Sequence, residues 1–231
     1  MKLSVIVPVF NEVRTIEEII KRIKETPYEK EIVIVDDHST DGTRETLKAL
    51  EQKGDTSLRV FYHERNLGKG AALRTGFQHA SGDIVITQDA DLEYDPQEYS
   101  ILIDPILRGE ADVVYGSRLS AARPQRVYLF WHKVGNSFLT FITNLLYNTT
   151  LTDMETGYKI FRREVLRQMR LRSNDFAVEP ELTAKVFKKG KWRVYEIPIS
   201  YYGRTYAEGK KIRWTDGVKA LWALIKYRFV D

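Results

Sequence analysis

The sequence predicts an α/β protein: a mixed, mostly parallel sheet flanked by helices, with an amphipathic-helix appendage in its second half. Three observations predict it. Short β-branched runs alternate with helical patterns along residues 1–117, acidic and polar residues follow directly on the ends of those runs, and aromatic and basic residues collect beyond residue 117. Leu3–Val9, Glu31–Val35, Leu58–Tyr62, Ile84–Thr87 and Val113–Tyr115 read as strands, being short and rich in branched apolar residues. Between the first two, Ile16, Ile19, Ile20 and Ile23 form one apolar stripe at helical spacing, which predicts a helix over about Glu12–Glu25 lying on the sheet. Ser39, Thr40 and Asp41 offer N-cap oxygens to a second helix ending near Leu50, Gly68–Gly70 opens a third through Ala80, and a fourth follows Pro96.

Beyond Gly116 the pattern changes. A Ser, Ala, Arg and Pro-rich loop, Ser117–Gln125, precedes a long aromatic helix over Arg126–Tyr147. Helical pieces at Arg163–Met169 and Glu179–Lys188, a strand at Val194–Ile199 and an amphipathic stretch over Lys211–Phe229 complete the chain. The expectation is one domain, 1–231, with two halves of different character at 1–117 and 118–231.

The formal charge of +4 hides an asymmetry: residues 1–117 carry 14 Lys and Arg against 22 Asp and Glu, a net of −8, and residues 118–231 carry 22 against 10, a net of +12. The second half also holds Trp131, Trp192, Trp214 and Trp222, so its basic and aromatic characters coincide, which suits phosphates, membranes or nucleic acid. The absence of cysteine excludes disulfide scaffolds, thiolate metal sites and cysteine nucleophiles. Met1 leads into a strand run with no cationic start and no small-residue cleavage site, so no signal peptide is expected and the Asn148-Thr149-Thr150 sequon is expected to stay idle. The longest strictly apolar run, Ala220–Ile225, falls far short of the roughly 18 to 20 residues a membrane-spanning helix needs.

In an open sheet of this kind, ligands bind where strands end. Asp89-Ala90-Asp91 follows the run Ile84–Thr87, and in extended chain a spacing of two turns both carboxylates to one face, a parity that Glu93 shares. Three converging carboxylates suit a hard divalent cation, Mg2+ or Mn2+, that keeps positions open for phosphate oxygens. A solvated acidic turn ahead of Pro96 would use the same residues, whereas an EF-hand is excluded by Tyr94 standing where that loop needs glycine. Asp36 and Asp37 end the second run, where a carboxylate can accept from a ribose hydroxyl or a base N–H, or can cap a turn. Asn66-Leu67-Gly68-Lys69-Gly70 sets backbone N–H groups and one ammonium at a helix start, within reach of an anion or serving only as a turn. The Walker spacing is absent and no G-x-G-x-x-G follows the first strand, which counts against P-loop and dinucleotide-dehydrogenase readings.

Four ordered motifs, Val5-Ile6-Val7-Pro8-Val9-Phe10-Asn11-Glu12, Ile34-Val35-Asp36-Asp37-His38-Ser39-Thr40-Asp41-Gly42-Thr43, Asn66-Leu67-Gly68-Lys69-Gly70 and Asp89-Ala90-Asp91, resemble family 2 glycosyltransferases of the GT-A fold. Gly116-Ser117-Arg118, Asp153-Met154-Glu155-Thr156-Gly157-Tyr158-Lys159 and residues 203–210 resemble the branch that includes dolichol-phosphate mannosyltransferases and other polyprenyl-phosphate hexosyltransferases. The resemblance implies that Pro8, Phe10, Glu12 and Asp37 line the nucleotide of a nucleotide-sugar donor, with Lys69 near it and Ala90 beneath it. It also implies that Asp89 and Asp91 hold a metal ion and the diphosphate, and that Arg118, Arg204 and Lys210 meet phosphates and join Asp91 as the catalytic set; Glu93, where relatives vary, is a further metal ligand on its spacing alone. The same resemblance implies a second acceptor-side cation at Lys133, and makes 1–117 the nucleotide-sugar-binding half and 118–231 the acceptor-binding half with membrane-interfacial helices.

The expected reaction is inverting transfer of a hexose, mannose from GDP-mannose favoured by resemblance, to a polyprenyl phosphate, an acceptor that is already anionic and needs cations to position it rather than a strong base. A sugar hydroxyl or a UDP-glucose donor is the alternative, and a hydroxyl acceptor would need a base such as Glu179 or Asp175. The aromatic helix and the final helix, with Arg123, Arg126 and Lys133 nearby, are expected to meet the cytoplasmic face of a membrane peripherally, directly or through a homodimer or a membrane-subunit partner. Simple core packing would use the same residues. A nucleic-acid partner is not expected, since no RNA or DNA motif is present, and a nucleotidyltransferase would instead release pyrophosphate.

Overall fold

The computed structural model describes residues 1–120, 122–127, 129–205, 208 and 214–230. Strands β1 (Leu3–Val9), β2 (Lys30–Asp36), β3 (Leu58–Tyr62), β4 (Ile84–Thr87), β5 (Val113–Ser117), β6 (Lys159–Arg162) and β7 (Val194–Pro198) form a 7-stranded sheet in the order β3-β2-β1-β4-β6-β5-β7. All neighbours run parallel except β6, which is antiparallel to both β4 and β5.

The helices cover both faces, as parallel strands require. On one face α1 (Ile16–Glu25) lays Ile16, Ile19, Ile20 and Ile23 against β1 and β2, each at most 3% exposed, and burial of each side chain contributes roughly 1.5 to 3 kcal/mol. A 3-10 turn at Pro96–Glu98 leads into α4 (Tyr99–Leu107) on that face, and α2 (Thr43–Gln52) adds Leu47. The other face carries α3 (Lys69–His79), α5 (Phe130–Tyr147), α6 (Arg163–Arg167), α7 (Val178–Phe187) and α8 (Trp214–Phe229), whose buried residues share a second core with Ile6, Val85, Val113 and Phe161.

Three differences from the sequence reading bear on function. Strand β6 was not expected, because its apolar centre is only Ile160-Phe161 between Lys159 and Arg162, and it exists through pairing on both edges. Helix α1 begins at Ile16 rather than near Glu12, since Asn11 takes a φ of 53° and the Glu12 carbonyl accepts from Thr15 and Ile16, which leaves Glu12 in a loop. Helix α5 begins at Phe130 rather than Arg126, because Gln125 and Arg126 are drawn onto Tyr201 by a parallel bridge and an N–H bond of 3.1 Å.

Chain order sets where the crevice opens. The chain moves outward from β1 to β2 and β3, then returns to place β4 on the other side of β1, so the loops leaving β1 and β4 diverge at their carboxyl ends.

Candidate functional site

A pocket of about 1290 Å³ fills that crevice and runs on to the mouth formed by α5 and α8. Pro8, Phe10, Glu12, Asp37, Lys69, Asp89, Ala90, Asp91, Glu93, Arg118, Lys133 and Arg204 all line it, so the expected residues from both halves come together. Lys210 lies outside the described residues. Asp175, the alternative base, does not line the pocket: it accepts from the Ala177 N–H at the start of α7 and pairs with Lys219 at 2.9 Å. Glu179 does line it.

The nucleotide end is built by Asp37. Its Oδ1 accepts from the Leu67 N–H at 2.8 Å and meets His63 Nδ1 at 2.7 Å, while Oδ2 accepts from the Gly68 N–H at 2.7 Å. This carboxylate therefore fixes the Asn66–Gly70 turn, with Oδ2 keeping capacity for a further donor. Gly68 is required there, having a φ of +94° and backbone of Asn174 where a Cβ would stand.

The acidic centre follows β4. Buried Gln88 is clamped by the hydroxyls of Tyr99 and Tyr158, at 2.8 and 2.5 Å, and this anchors the first residue after the strand. Asp89 pairs with Lys69 at 2.8 Å, and Lys69 also lies 3.3 Å from Glu179 Oε1. Burial opposes the Lys69 charge, yet Asp89 and Glu179 hold its ammonium well above the usual lysine range. The Arg204 guanidinium lies among the remaining carboxylates: it makes two bonds of 3.0 Å to Glu12 and one of 3.1 Å to Asp91. Burial first, and the negative charges of Glu93 and Asp89 after it, push the Asp91 carboxyl up to about 7, with Arg204 pulling it back down.

Glu93 lies close enough to Asp91 for its charge to act on it, and both of its oxygens are engaged. Its Oε2 accepts from the Tyr201 hydroxyl at 2.7 Å and its Oε1 from the Arg204 N–H at 2.6 Å, so it ties the 201–204 segment to the site. Among the described residues no group of three His, Cys, Asp or Glu side chains is arranged to hold a metal ion by itself. The donor set nevertheless fits a hard divalent cation at Asp91 with Asp89 beside it, since a buried carboxylate crowded by like charge is stabilised by added positive charge and a diphosphate can supply the other oxygens.

Arg118 is engaged as well. Its Nε and Nη2 bond Asp153 at 2.6 and 2.7 Å, and its guanidinium lies 5.2 Å from the centre of the Tyr201 ring. Asp153 is positioned in turn by the amide of Asn136 on α5 at 2.9 Å. Burial opposes ionisation of Asp153, but Arg118 and these bonds hold its carboxyl below the usual range. Fully buried Lys159 donates to Glu179 Oε2 at 2.5 Å and to the carbonyls of Met154 and Thr156.

Sequence reasoning gave Asp153, Glu155, Lys159 and Tyr201 no individual role. The Asp153–Lys159 motif was visible, and its signal was three charged residues in seven leading into a strand that periodicity did not show. Glu155 lines the pocket with its Oε1 buried and without a hydrogen-bond partner among the described residues.

The comparisons with known proteins agree with this geometry. The chain is 26% identical over 214 residues to the dodecaprenyl-phosphate galacturonate synthase of Rhizobium johnstonii, covering 91% of this chain and 62% of that protein. It is 29% identical over 238 residues to the UDP-N-acetylglucosamine–dolichyl-phosphate N-acetylglucosaminyltransferase of Methanococcus voltae, covering 95% and 93% of the two chains. Glucosyl-3-phosphoglycerate synthase from Mycobacterium tuberculosis, crystallised with Mn2+, UDP and phosphoglyceric acid, shares the fold with a TM-score of 0.75 at 22% identity, covering 100% of this chain and 79% of that one. That fold is GT-A. Because the description "Glycosyl transferase family 2" matches residues 4–170, most of the sheet and the whole acidic centre, the chain belongs to that family.

Proposed function

We propose that this chain transfers a sugar from a nucleoside-diphosphate donor to a polyprenyl phosphate at a membrane surface, in a reaction that depends on Mg2+ or Mn2+. The observation that carries it is the continuity of one pocket, which begins at Asp37 and the acidic centre and ends between Trp131, Phe138, Trp214 and Val218 on α5 and α8. Those helices also expose Phe130, Phe141, Leu145, Trp222 and Phe229, with Trp131 at 79% and Trp214 at 81% exposure. Apolar surface of this kind, flanked by Arg123, Arg126, Lys226 and Arg228, suits an anionic lipid interface and an acceptor whose tail stays in it. Among the described residues no helix is long and apolar enough to cross a membrane; the attachment proposed from the exposed faces of α5 and α8 is peripheral, at the cytoplasmic face, directly or through a second copy or a membrane subunit.

The acceptor phosphate oxygen would attack the sugar C1 from the face opposite the leaving nucleoside diphosphate, with inversion. Bound at Asp91 and Asp89, the divalent ion would neutralise the leaving diphosphate. Pro8, Phe10 and Asp37 would hold the nucleotide, and Ala90, 3% exposed, leaves room above it for the donor. Arg204 and Arg118 line the pocket where phosphate charge would sit, and Lys133 stands nearer the mouth. Arg118 is oriented by Asp153 and Arg204 by Glu12, so both enter with little freedom left to lose. Mannose from GDP-mannose stays among the donors to test, but the named relatives act on galacturonate and N-acetylglucosamine, and UDP is the nucleotide in the structural neighbour.

The test is to incubate the protein with Mn2+, polyprenyl phosphate and radiolabelled UDP-glucose, UDP-N-acetylglucosamine or GDP-mannose, and to count label extracted into organic solvent. Metal-dependent label in one extract is expected. No extractable label from any donor, with nucleoside diphosphate released when oligosaccharides are supplied, would move the acceptor to a sugar hydroxyl.

A further inference from the structure

Three carboxylates that line the pocket have a cation in contact, Asp89 with Lys69, Asp91 with Arg204 and Glu179 with Lys159, and Asp153, outside the lining, has Arg118. Among the described residues the Glu155 carboxylate has no hydrogen bond and no ion pair, and its Oε1 is buried. A buried oxygen without a donor is unfavourable, and one that lines a pocket is completed by a ligand that brings a donor.

The place of Glu155 says which part of a ligand that is. Gly157, two residues further on, lies so close to Asp89 that an added Cβ would meet Asp89 Oδ2. From Asp89 the wall continues through Lys69 to Glu179 at 2.8 and 3.3 Å. Glu155 lines the pocket within electrostatic reach of Glu179, Lys159 and Arg118, beside the acidic centre, where the sugar of a donor would lie if its diphosphate sits at Asp91.

We infer that Glu155 is a specificity-determining residue that hydrogen-bonds a hydroxyl of the transferred sugar and, with Glu179 and Asp153 around it, excludes donors whose sugar carries a carboxylate. The inference rests on the donor-site reading proposed above. Burial, with Glu179 and Asp153 adding to it against Lys159 and Arg118, raises the Glu155 carboxyl to about 7. A wall that resists the ionisation of its own member resists a second carboxylate more, because a uronate adds like charge and takes away a hydroxyl donor.

Calorimetric titration of the full chain with Mn2+ tests this, using UDP and GDP first, then the matched pair on whichever base binds: UDP-glucose against UDP-glucuronate, or GDP-mannose against GDP-mannuronate. The neutral donor is expected to bind at least tenfold more tightly to the unaltered protein. Glu155→Gln should reduce that ratio to threefold or less while affinity for the nucleoside diphosphate alone stays within twofold, a split that a purely structural role would not produce. Equal binding of the two donors by the unaltered protein overturns the inference, as does an unchanged ratio in a folded Glu155→Gln variant. Absence of any nucleoside diphosphate binding instead overturns the donor-site reading, and the inference falls with it.

Discussion

Replacing Arg204 by alanine tests whether a side chain acts as the internal counter-cation of the acidic centre. In the native protein its guanidinium bonds Glu12 at 3.0 Å twice and Asp91 at 3.1 Å, and Glu93 lies 3.8 Å away. One unit charge 4 Å from another is worth about 4 kcal/mol at an effective dielectric of 20. Removing one member of a buried pair costs about 3 to 5 kcal/mol, because the other charge is left uncompensated. The Arg204 side chain is 20% exposed, so the lower figure applies, about 3 kcal/mol, or roughly 6 to 12 °C in Tm for a chain of this size. The loss must depend on pH with a definite sign. Asp91 already has its carboxyl raised to about 7 in the folded protein, and losing Arg204 raises it further. A raised carboxyl means that the folded state binds the extra proton, so stability falls as pH rises from about 4 through 7. Urea unfolding of Arg204→Ala should therefore show the full deficit near pH 8 and a smaller one near pH 5. Mn2+ should also stabilise the variant more than the parent, since the ion no longer competes with a guanidinium, and a concentration 100 times Kd would return about 2.7 kcal/mol. Equal deficits at the two pH values with no added gain from Mn2+ would refute the counter-cation argument.

Asp91→Asn should abolish metal-dependent nucleoside-diphosphate binding, read by calorimetry, while leaving the circular dichroism unchanged; unaltered binding would remove Asp91 from the centre. Lys159→Met should cost about 3 to 5 kcal/mol in thermal unfolding, because Glu179 Oε2 and the carbonyls of Met154 and Thr156 lose their donor together, and Lys159→Met with Glu179→Gln should cost less than the single change. Glu31 is buried, which works to raise its carboxyl, but hydrogen bonds from the Ser4 hydroxyl and the Ser81 N–H hold it down near 2. A lowered carboxyl contributes stability that is present above the unfolded value of about 4.5 and lost as pH falls toward 2; the stability difference between the parent and Glu31→Gln, about 2 to 3 kcal/mol near neutrality, should vanish by about pH 2 in acid unfolding curves.

Local pattern settled a good deal. Leu3–Val9 and Ile84–Thr87 are recognisable as buried strands because branched apolar side chains run without interruption, and the residues after them, Glu12 and Asp89 to Asp91, follow as the candidates at a sheet's carboxyl edge. The isoleucine stripe fixed α1 in the same way, since helical spacing is a property of neighbours in sequence. What local pattern could not reach was the pairing of charges. Arg204 meets Glu12 across 192 positions, Glu93 is taken by Tyr201 across 108, and Arg118 meets Asp153 across 35. Strand β6 exists only because β4 and β5 hold it on both edges. Sequence alone therefore determined the elements other than β6 and that acidic groups would gather at the strand ends. Tertiary structure alone decided that Glu93 anchors the 201–204 segment and that Glu155 Oε1 has no hydrogen-bond partner among the described residues, because a side chain's charge and hydrogen-bond partners depend on contacts between segments whose separation along the chain carries no periodic signal.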